Sequence, residues 1–340
     1  MRVALDAQLT VGTATGIGEY AAGLYAALRA RGDDVVALSA PSYDPWRFDR
    51  RVVWDQVMLG AAARRAGADL LHCASGTLPV LAPMPVVVTV HDVAWLRVQQ
   101  HARPYARLYF GGLAARLYRR ARRIMVDSAF SRDELTALLQ IDPALVDVVY
   151  PGVAADVAAI ERKPDEQPFV LVPGTVEQRK NLAIVIEAAA MLPGLRVISA
   201  GPDTPYRSAC ERLARERGVA ARVDFRGYVP RAALLDLYAR AAVVAVPSTY
   251  EGFGYAAAWA QCAGVPLVSS NASSLPEVAG GNAALVNPRD AGAWRDALAE
   301  VLGDRAAAEA AAGRARAAAT ERFSWAAAAE AAERSYALAL

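Results

Sequence analysis

Three cysteines in 340 residues, Cys73, Cys210 and Cys262, are too few and too scattered for a disulfide framework, and their number is odd. Such usage fits the reducing cytoplasm. No stretch approaches the ~20 consecutive apolar residues of a membrane span, so no transmembrane anchor is expected. The opening Met1-Arg2-Val3-Ala4-Leu5-Asp6 lacks the apolar core of a secretory signal and reads as a first strand. Charge of one sign is also missing. Lys+Arg 37 against Asp+Glu 35 gives a net +2, which argues against a general nucleic-acid binder and leaves room only for local basic patches. The histidines are three, His72, His91 and His101, and no His/Cys/Asp/Glu cluster has metal-ligand spacing. There is no Asp-x-Asp pair and no Walker-type phosphate loop, so catalysis by a protein-bound metal is disfavoured.

What is present is a folded α/β chain. Hydrophobic residues at 55% and charged residues at 21% exclude intrinsic disorder, and at roughly 150 residues per domain the length predicts two domains. Strand-like runs at Val3 to Ala7, Val35 to Ser39, Leu70 to Ala74 and Val86 to Val90 alternate with helical patterns such as Glu19 to Arg31. The run Pro85 to Val90 is apolar nearly throughout, as a strand covered on both faces must be. His91 and Asp92 follow at its carboxyl end, where open α/β sheets bind ligands. A mixed-charge segment from Ala154 to Gln167 reads as a linker, after which the rhythm restarts at Phe169 to Val172, Arg196 to Ala200, Val223 to Arg226, Val243 to Val246 and Leu267 to Ser270. Two such halves usually hold a ligand in the cleft between them. Alanine-rich helices close the chain, with Phe323 and Trp325 as apolar anchors for the last.

Three segments carry candidate chemistry. In Gly174 to Leu182 a strand ends in glycine, Arg179 and Lys180 follow, and Asn181 stands where an N-cap belongs. Two cations beside the positive end of a helix are costly unless an anion lies between them, and a diphosphate fits that description. Two solvated surface cations are the alternative. Glu251-Gly252-Phe253-Gly254 opens a helix from Tyr255 to Ala263, so Glu251 either complements the helix end or accepts hydrogen bonds from sugar hydroxyls. In the second case the amides of Phe253 and Gly254 face a phosphate. The loop Thr13 to Glu19 carries Gly16 and Gly18, but lies too far from its strand for a dinucleotide fingerprint. Ser274-Leu275-Pro276-Glu277 reads as a capping box. Between Asp92 and Asp127 there is no acid. Arg97, Arg103, Arg107, Arg116, Arg119, Arg120, Arg122 and Arg123 are interleaved there with Tyr105, Leu108, Tyr109, Phe110, Leu113 and Leu117. Such a helix suits either an anionic membrane surface or an internally paired arginine face.

Gly16-Ile17-Gly18-Glu19-Tyr20, Val90-His91-Asp92, Asp127-Ser128-Ala129-Phe130-Ser131, Arg179-Lys180-Asn181-Leu182, Pro247 to Gly254, Ser273 to Val278, Gly227-Tyr228-Val229 and Arg322 to Trp325 are all present. Together they resemble the family-4 retaining glycosyltransferases of GT-B fold, in particular the mannosyltransferase-like branch of bacterial surface-polysaccharide assembly. The resemblance implies an α/β chain of two Rossmann-like parallel-sheet domains facing a central cleft. Residues 1–160 would form the acceptor-side domain and 161–322 the donor domain, with 323–340 a helix packing back on the first.

The same resemblance implies that Lys180, helped by Arg179, binds the donor diphosphate. His91 would contact the hexose, Glu251 its hydroxyls, and Phe253 and Gly254 would supply backbone donors. Gly16 and Gly18 would lie beside phosphate and acceptor. The expected partners are a nucleotide-sugar donor, GDP-mannose favoured, and a glycan or lipid-linked acceptor, with peripheral contact on the inner face of the membrane. No cofactor, metal or nucleic acid is implied. Family members carry a second acid eight residues after the first, where it holds the ribose; here that position is Trp259. Trp259 would then meet the nucleoside through its ring, or belong to the core. A non-catalytic GT-B-shaped scaffold subunit is the competing function.

Overall fold

The computed structural model describes residues 1–12, 16–97 and 107–340. The chain divides into two compact units, one of residues 1–152 with 323–340 and one of residues 153–322. Each is built on a six-stranded sheet in which every pairing is parallel.

In the first unit the strands are β1 (Arg2–Asp6), β2 (Asp34–Leu38), β3 (Leu70–Cys73), β4 (Val86–Val90), β5 (Arg123–Val126) and β6 (Val146–Val148), in the order β2-β1-β3-β4-β5-β6. Strands β3 and β4 are buried along their whole length, which is why their sequences are continuously apolar apart from His72 and Thr89. These two polar residues satisfy each other. His72 Nε2 lies 2.8 Å from Thr89 Oγ1, and His72 Nδ1 lies 2.8 Å from the hydroxyl of Tyr336. Burial pushes the His72 pKa down to about 3, so it is a neutral core residue.

Tyr336 belongs to the helix Trp325–Ala339, which packs on the helix Gly16–Ala30 and buries Ala328, Ala329, Ala332 and Tyr336. Arg31 grips Glu333 with two donors at 2.5 and 2.8 Å, and Ser335 donates to Asp147 at 2.6 Å. This helix therefore completes the first unit although it ends the chain.

The second unit contains β7 (Phe169–Pro173), β8 (Arg196–Ala200), β9 (Val223–Phe225), β10 (Val243–Val246), β11 (Leu267–Ser270) and β12 (Ala284–Val286), in the order β12-β11-β10-β7-β8-β9. Its core gathers Val170, Val172, Ile186, Val197, Val243, Val268 and Trp294. Residues 153–160 lie on this unit: a short helix, Ala155–Ala158, packs on the helix Tyr255–Ala263, and Val157 is fully buried.

Three strands escape the sequence pattern. β5 opens on an arginine at the end of a basic segment, and β6 and β12 have only three residues each, so none shows as an apolar run. The basic segment is only partly buried: of its apolar residues Tyr109 and Leu117 are buried and Leu108 is 71% exposed, Arg97 pairs with Glu134 and Arg123 with Asp147, while Arg116, Arg119, Arg120 and Arg122 are exposed. Arg103, Tyr105 and His101 lie outside the described residues, as do Thr13, Ala14 and Thr15 of the glycine loop. Among the described residues no helix is long and apolar enough to cross a membrane.

Candidate active site

The central strands of the second sheet lie in the order β11-β10-β7, so the segments leaving their carboxyl ends emerge side by side. From β7 comes the turn Gln178–Lys180, from β10 the segment Pro247 to Gly254, and from β11 the serines Ser270, Ser273 and Ser274. That juxtaposition builds the site.

Glu251 sits at its centre, only 6% exposed. Its Oε1 accepts from Lys180 Nζ at 2.5 Å and from Ser248 Oγ at 2.7 Å, and its Oε2 accepts from Arg179 Nη1 at 3.1 Å. Burial opposes its ionisation, but the charges of Lys180 and Arg179 and the bonds from Lys180 and Ser248 prevail and hold its pKa below the ordinary carboxylate value. The cluster is thus two cations around one anion, with Glu177 also on Arg179 at 2.9 Å. Lys180 is 22% exposed. It combines a buried anchor with a route to an incoming anion.

Hydroxyls fix the backbone around this acid. The Glu251 amide donates to Ser273 Oγ at 2.9 Å, and Ser274 Oγ lies 3.0 Å from the Glu251 carbonyl and 2.8 Å from that of Phe253. Ser274 therefore does not cap its own helix through its side chain, contrary to the capping-box expectation, because two neighbouring carbonyls claim its hydroxyl. Asn181 likewise makes no side-chain cap. It takes a left-handed φ of 57° and donates through Nδ2 to the carbonyls of Pro247 at 3.1 Å and Pro288 at 2.8 Å, pinning the cation turn to two loops.

Gly254 has φ 98°, and a Cβ there would lie 2.6 Å from Leu275 Cδ2, so the turn into the helix Tyr255–Ala263 requires glycine. Phe253 is buried, with its ring edge-on to Tyr255 at 5.3 Å. Gly16 and Gly18 stand in the first turn of the helix Gly16–Ala30, Gly16 exposed and Gly18 buried.

Trp259 has ring neighbours of its own. It is 9% exposed, with Tyr238 on one side at a centroid distance of 5.6 Å and the Arg231 guanidinium 4.9 Å over its ring. Arg231 is itself held by Asp156 through bonds of 2.6 and 2.7 Å. Gln261 is buried too and donates to the Ala279 carbonyl, so its amide is engaged in the fold.

In the first unit, Cys73 of β3 is in register with Val88 of β4, and Val90 is in register with Val126 of β5. Ala74, His91 and Asp127 follow these strands and meet. His91 Nδ1 lies 2.7 Å from Asp127 Oδ2, and Nε2 lies 3.0 Å from the Ala74 carbonyl. A carbonyl only accepts, so Nε2 carries a proton. Burial lowers the His91 pKa, but the Asp127 carboxylate and the Ala74 carbonyl outweigh it and raise the value above that of a free imidazole. The Tyr20 ring stands edge-on to His91 at 4.9 Å.

Sequence reasoning missed the partners: Ser248 on Glu251, Asp127 on His91, and Arg231 and Tyr238 on Trp259. Asp127 and Ser248 lie in segments that the sequence singles out, Asp127 to Ser131 and Pro247 to Gly254, but nothing along the chain pairs them with His91 and Glu251. Among the described residues no group of three or more His, Cys, Asp and Glu is placed to hold a metal ion.

Comparison with known proteins bears on both halves of the chain. The model described as Glycosyltransferase Family 4 matches residues 14–157, and the model described as Glycosyl transferases group 1 matches residues 155–318. Side by side, these two models take in residues 14–318, and the chain has the GT-B fold. It is 38% identical over 226 residues to the D-inositol 3-phosphate glycosyltransferase of Mycolicibacterium smegmatis, covering 61% of this chain and 50% of that protein. Against the protein of the same name from Mycobacteroides abscessus it is 33% identical over 284 residues, 76% of this chain and 61% of the other. The chain spans half or little more of the length of these curated relatives.

Among solved structures, sucrose-phosphate synthase from Thermosynechococcus elongatus superposes with a TM-score of 0.78 at 21% identity, covering 99% of this chain and 98% of that one. Anabaena HepE in complex with UDP gives 0.74 at 19%, covering 99% and 100%. At these identities the structures speak for the fold. The GT-B fold and its two parallel sheets stand, while none of these comparisons carries the mannosyltransferase-like branch.

Proposed function

We propose that this chain transfers a hexose from a nucleotide-sugar donor to an acceptor with retention of anomeric configuration, without a protein-bound metal. One observation carries the reading: Arg179, Lys180 and Glu251 are gathered at the carboxyl ends of adjacent strands of one sheet, where open α/β sheets take ligands. Lys180 and Arg179 bind the diphosphate and stabilise the charge that grows on it as the sugar departs, while the leaving phosphate helps deprotonate the acceptor. Glu251 meets the sugar hydroxyls. Phe253 and Gly254 offer backbone donors, and His91, Gly16 and Gly18 keep the roles that the resemblance implies.

For the donor, the resemblance favours GDP-mannose. The UDP and UDP-glucose named with Anabaena HepE favour a uridine nucleotide as the second reading. For the acceptor, a glycan or lipid-linked saccharide of surface-polysaccharide assembly is the leading class, and the inositol phosphate in the curated relatives' name supplies the other. The proposed place is the cytoplasmic face of the membrane, with peripheral contact to anionic lipid.

Trp259 favours a non-catalytic scaffold, because it stands packed between Tyr238 and Arg231 at the position of the family's second acid. Thermal-shift measurements with GDP, UDP, ADP and their sugars, followed by transfer assays, separate these readings. Stabilisation by one nucleotide and turnover of its sugar supports the enzyme. No shift with any of them overturns it in favour of the scaffold.

A further inference from the structure

We propose that Tyr20 is a positioning residue for transfer, fixing the imidazole of His91 within the first unit. The inference rests on the reading above that His91 serves transfer. Tyr20 closes the Gly16 to Tyr20 motif, whose glycines have a part in that reading while the tyrosine has none.

His91 is tied through both ring nitrogens, Nδ1 to Asp127 at 2.7 Å and Nε2 to the Ala74 carbonyl at 3.0 Å. The N–H bonds of an imidazole lie in its plane, so these two contacts direct the ring within that plane. Rocking about the line between the nitrogens disturbs neither of them much. Tyr20 supplies the missing wall. Its ring stands at 83° to the imidazole with centroids 4.9 Å apart, near the short end of the range for aromatic contacts. At that separation the imidazole has no room to move toward the helix Gly16–Ala30, while 18% of the His91 side chain stays exposed.

Tyr20 can hold another ring because it is held itself. It is 1% exposed, in the core that the helices Gly16–Ala30 and Trp325–Ala339 share with the sheet. Its hydroxyl lies 3.1 Å from Thr89 Oγ1, and Thr89 stands on β4 two residues before His91. The strand that ends at the imidazole thus also fixes the ring against it. From Thr89 the contacts continue to His72 and from His72 to Tyr336, at 2.8 Å each. The Trp325 ring packs on Tyr20 as well, with centroids 6.1 Å apart. Tyr336 and Trp325 both belong to the last helix, so the end of the chain secures the residue that secures His91. Filling a core needs only phenylalanine, whereas a hydroxyl joined to a buried polar network gives the ring one place. Reacting groups need such support, since a misplacement of about 1 Å costs up to about a hundredfold in rate.

The test uses the full chain and exploits its having three histidines. With isotope-labelled histidine, the proton on His91 Nε2 is expected to give a slowly exchanging magnetic-resonance signal, assigned by its loss in His91→Asn. Turnover is followed with GDP-mannose and with UDP-glucose. Tyr20→Leu should lose the signal and lower kcat about tenfold or more, with GDP or UDP affinity unchanged. Tyr20→Phe keeps the ring, so signal and kcat should stay within about threefold of wild type. Leu24→Ala, one helical turn on and fully buried in the same core, should lower the melting temperature and leave both. If the leucine variant does not fold, Tyr20→Met, longer but ringless, gives the same comparison. An unchanged His91 signal in Tyr20→Leu would overturn the proposal, and so would equal losses in Leu24→Ala, which would assign the effect to packing at large. A lost signal with full turnover would support Tyr20 as the holder of His91 and overturn instead the part of His91 in transfer. No wild-type turnover of either donor would overturn that reading, and this role with it.

Discussion

Lys180 donates to Glu251 across 2.5 Å, which makes the acid that opens the Glu251 to Gly254 turn the counter-ion of a cation 71 residues earlier. The site thus holds its cations in place before any phosphate arrives. Preset geometry of this kind avoids reorganisation when charge develops on a leaving group. Lys180→Ala removes the more accessible donor and a charge-assisted bond worth about 1.5–3 kcal/mol, so diphosphate affinity should fall about tenfold to a hundredfold. Titration calorimetry with the nucleoside diphosphate measures it, and unchanged affinity removes Lys180 from the site.

Glu251→Gln should behave differently. The amide oxygen still accepts from Lys180 or Ser248, but the two cations lose their counter-charge, so the folded state should lose about 1–3 kcal/mol in urea denaturation. Diphosphate affinity should stay within a few-fold, because the lost anion no longer competes for the cations. Sugar transfer should collapse. A tenfold loss of diphosphate affinity would instead show that the carboxylate is what aims Arg179 and Lys180.

Much of this was readable from residue order and much was not. Strands β1, β3, β4 and β10 announce themselves because burial on both faces forces continuous apolar runs. Arg179, Lys180 and Glu251 each stood out beside a strand end and a helix start. Their mutual bonds did not, because they depend on β7 and β10 being neighbours in space, which local sequence does not encode. The hydroxyl of Ser274 looked like a cap because only its own helix is visible along the chain; the carbonyls of Glu251 and Phe253 that engage it come from another strand's loop.

Trp259→Glu tests whether that position faces a nucleotide. With Tyr238 and Arg231 on its ring, the tryptophan is packed within its own unit, and an acid there loses aromatic burial and is itself poorly hydrated. The variant should be destabilised by about 3–5 kcal/mol, in the range of large-to-small aromatic substitutions in a core. Nucleotide affinity should not improve. A stable variant with tenfold tighter nucleotide binding would place residue 259 at the ribose.

The His91 and Asp127 pair predicts a pH dependence. The folded pKa of His91 is raised, so the pair's contribution is complete below the ordinary histidine value of about 6.5 and is lost as pH rises through the raised folded value. Asp127→Asn removes the carboxylate that raises it. The stability gap between wild type and this variant should therefore be widest near pH 6 and narrow on the alkaline side, by about 1.4 kcal/mol for each factor of ten that the carboxylate adds to the proton affinity of His91. Urea titrations across that range measure the gap. A gap that stays flat across that range would mean that the imidazole is neutral when folded.

Two glycines give the last prediction, because both lie against Trp325. A Cβ on Gly23 would stand 2.2 Å from Trp325 Cε2, and one on Gly152 would stand 2.3 Å from Cδ2 and 2.7 Å from the Trp325 backbone nitrogen. Gly23 lies inside the helix Gly16–Ala30, where alanine ordinarily stabilises by about 0.5–1 kcal/mol. Overpacking should reverse that sign, so Gly23→Ala is expected to cost about 1–3 kcal/mol in the native chain. In a Trp325→Ala background the ring is gone and the ordinary helix preference returns, so the same substitution should become stabilising. Gly152→Ala should stay destabilising in both backgrounds, because its closest approach includes backbone that truncating the side chain does not remove. Melting temperatures of the four Gly23 and Trp325 combinations form a closed cycle. An additive cycle would mean that the final helix is not seated against Gly23.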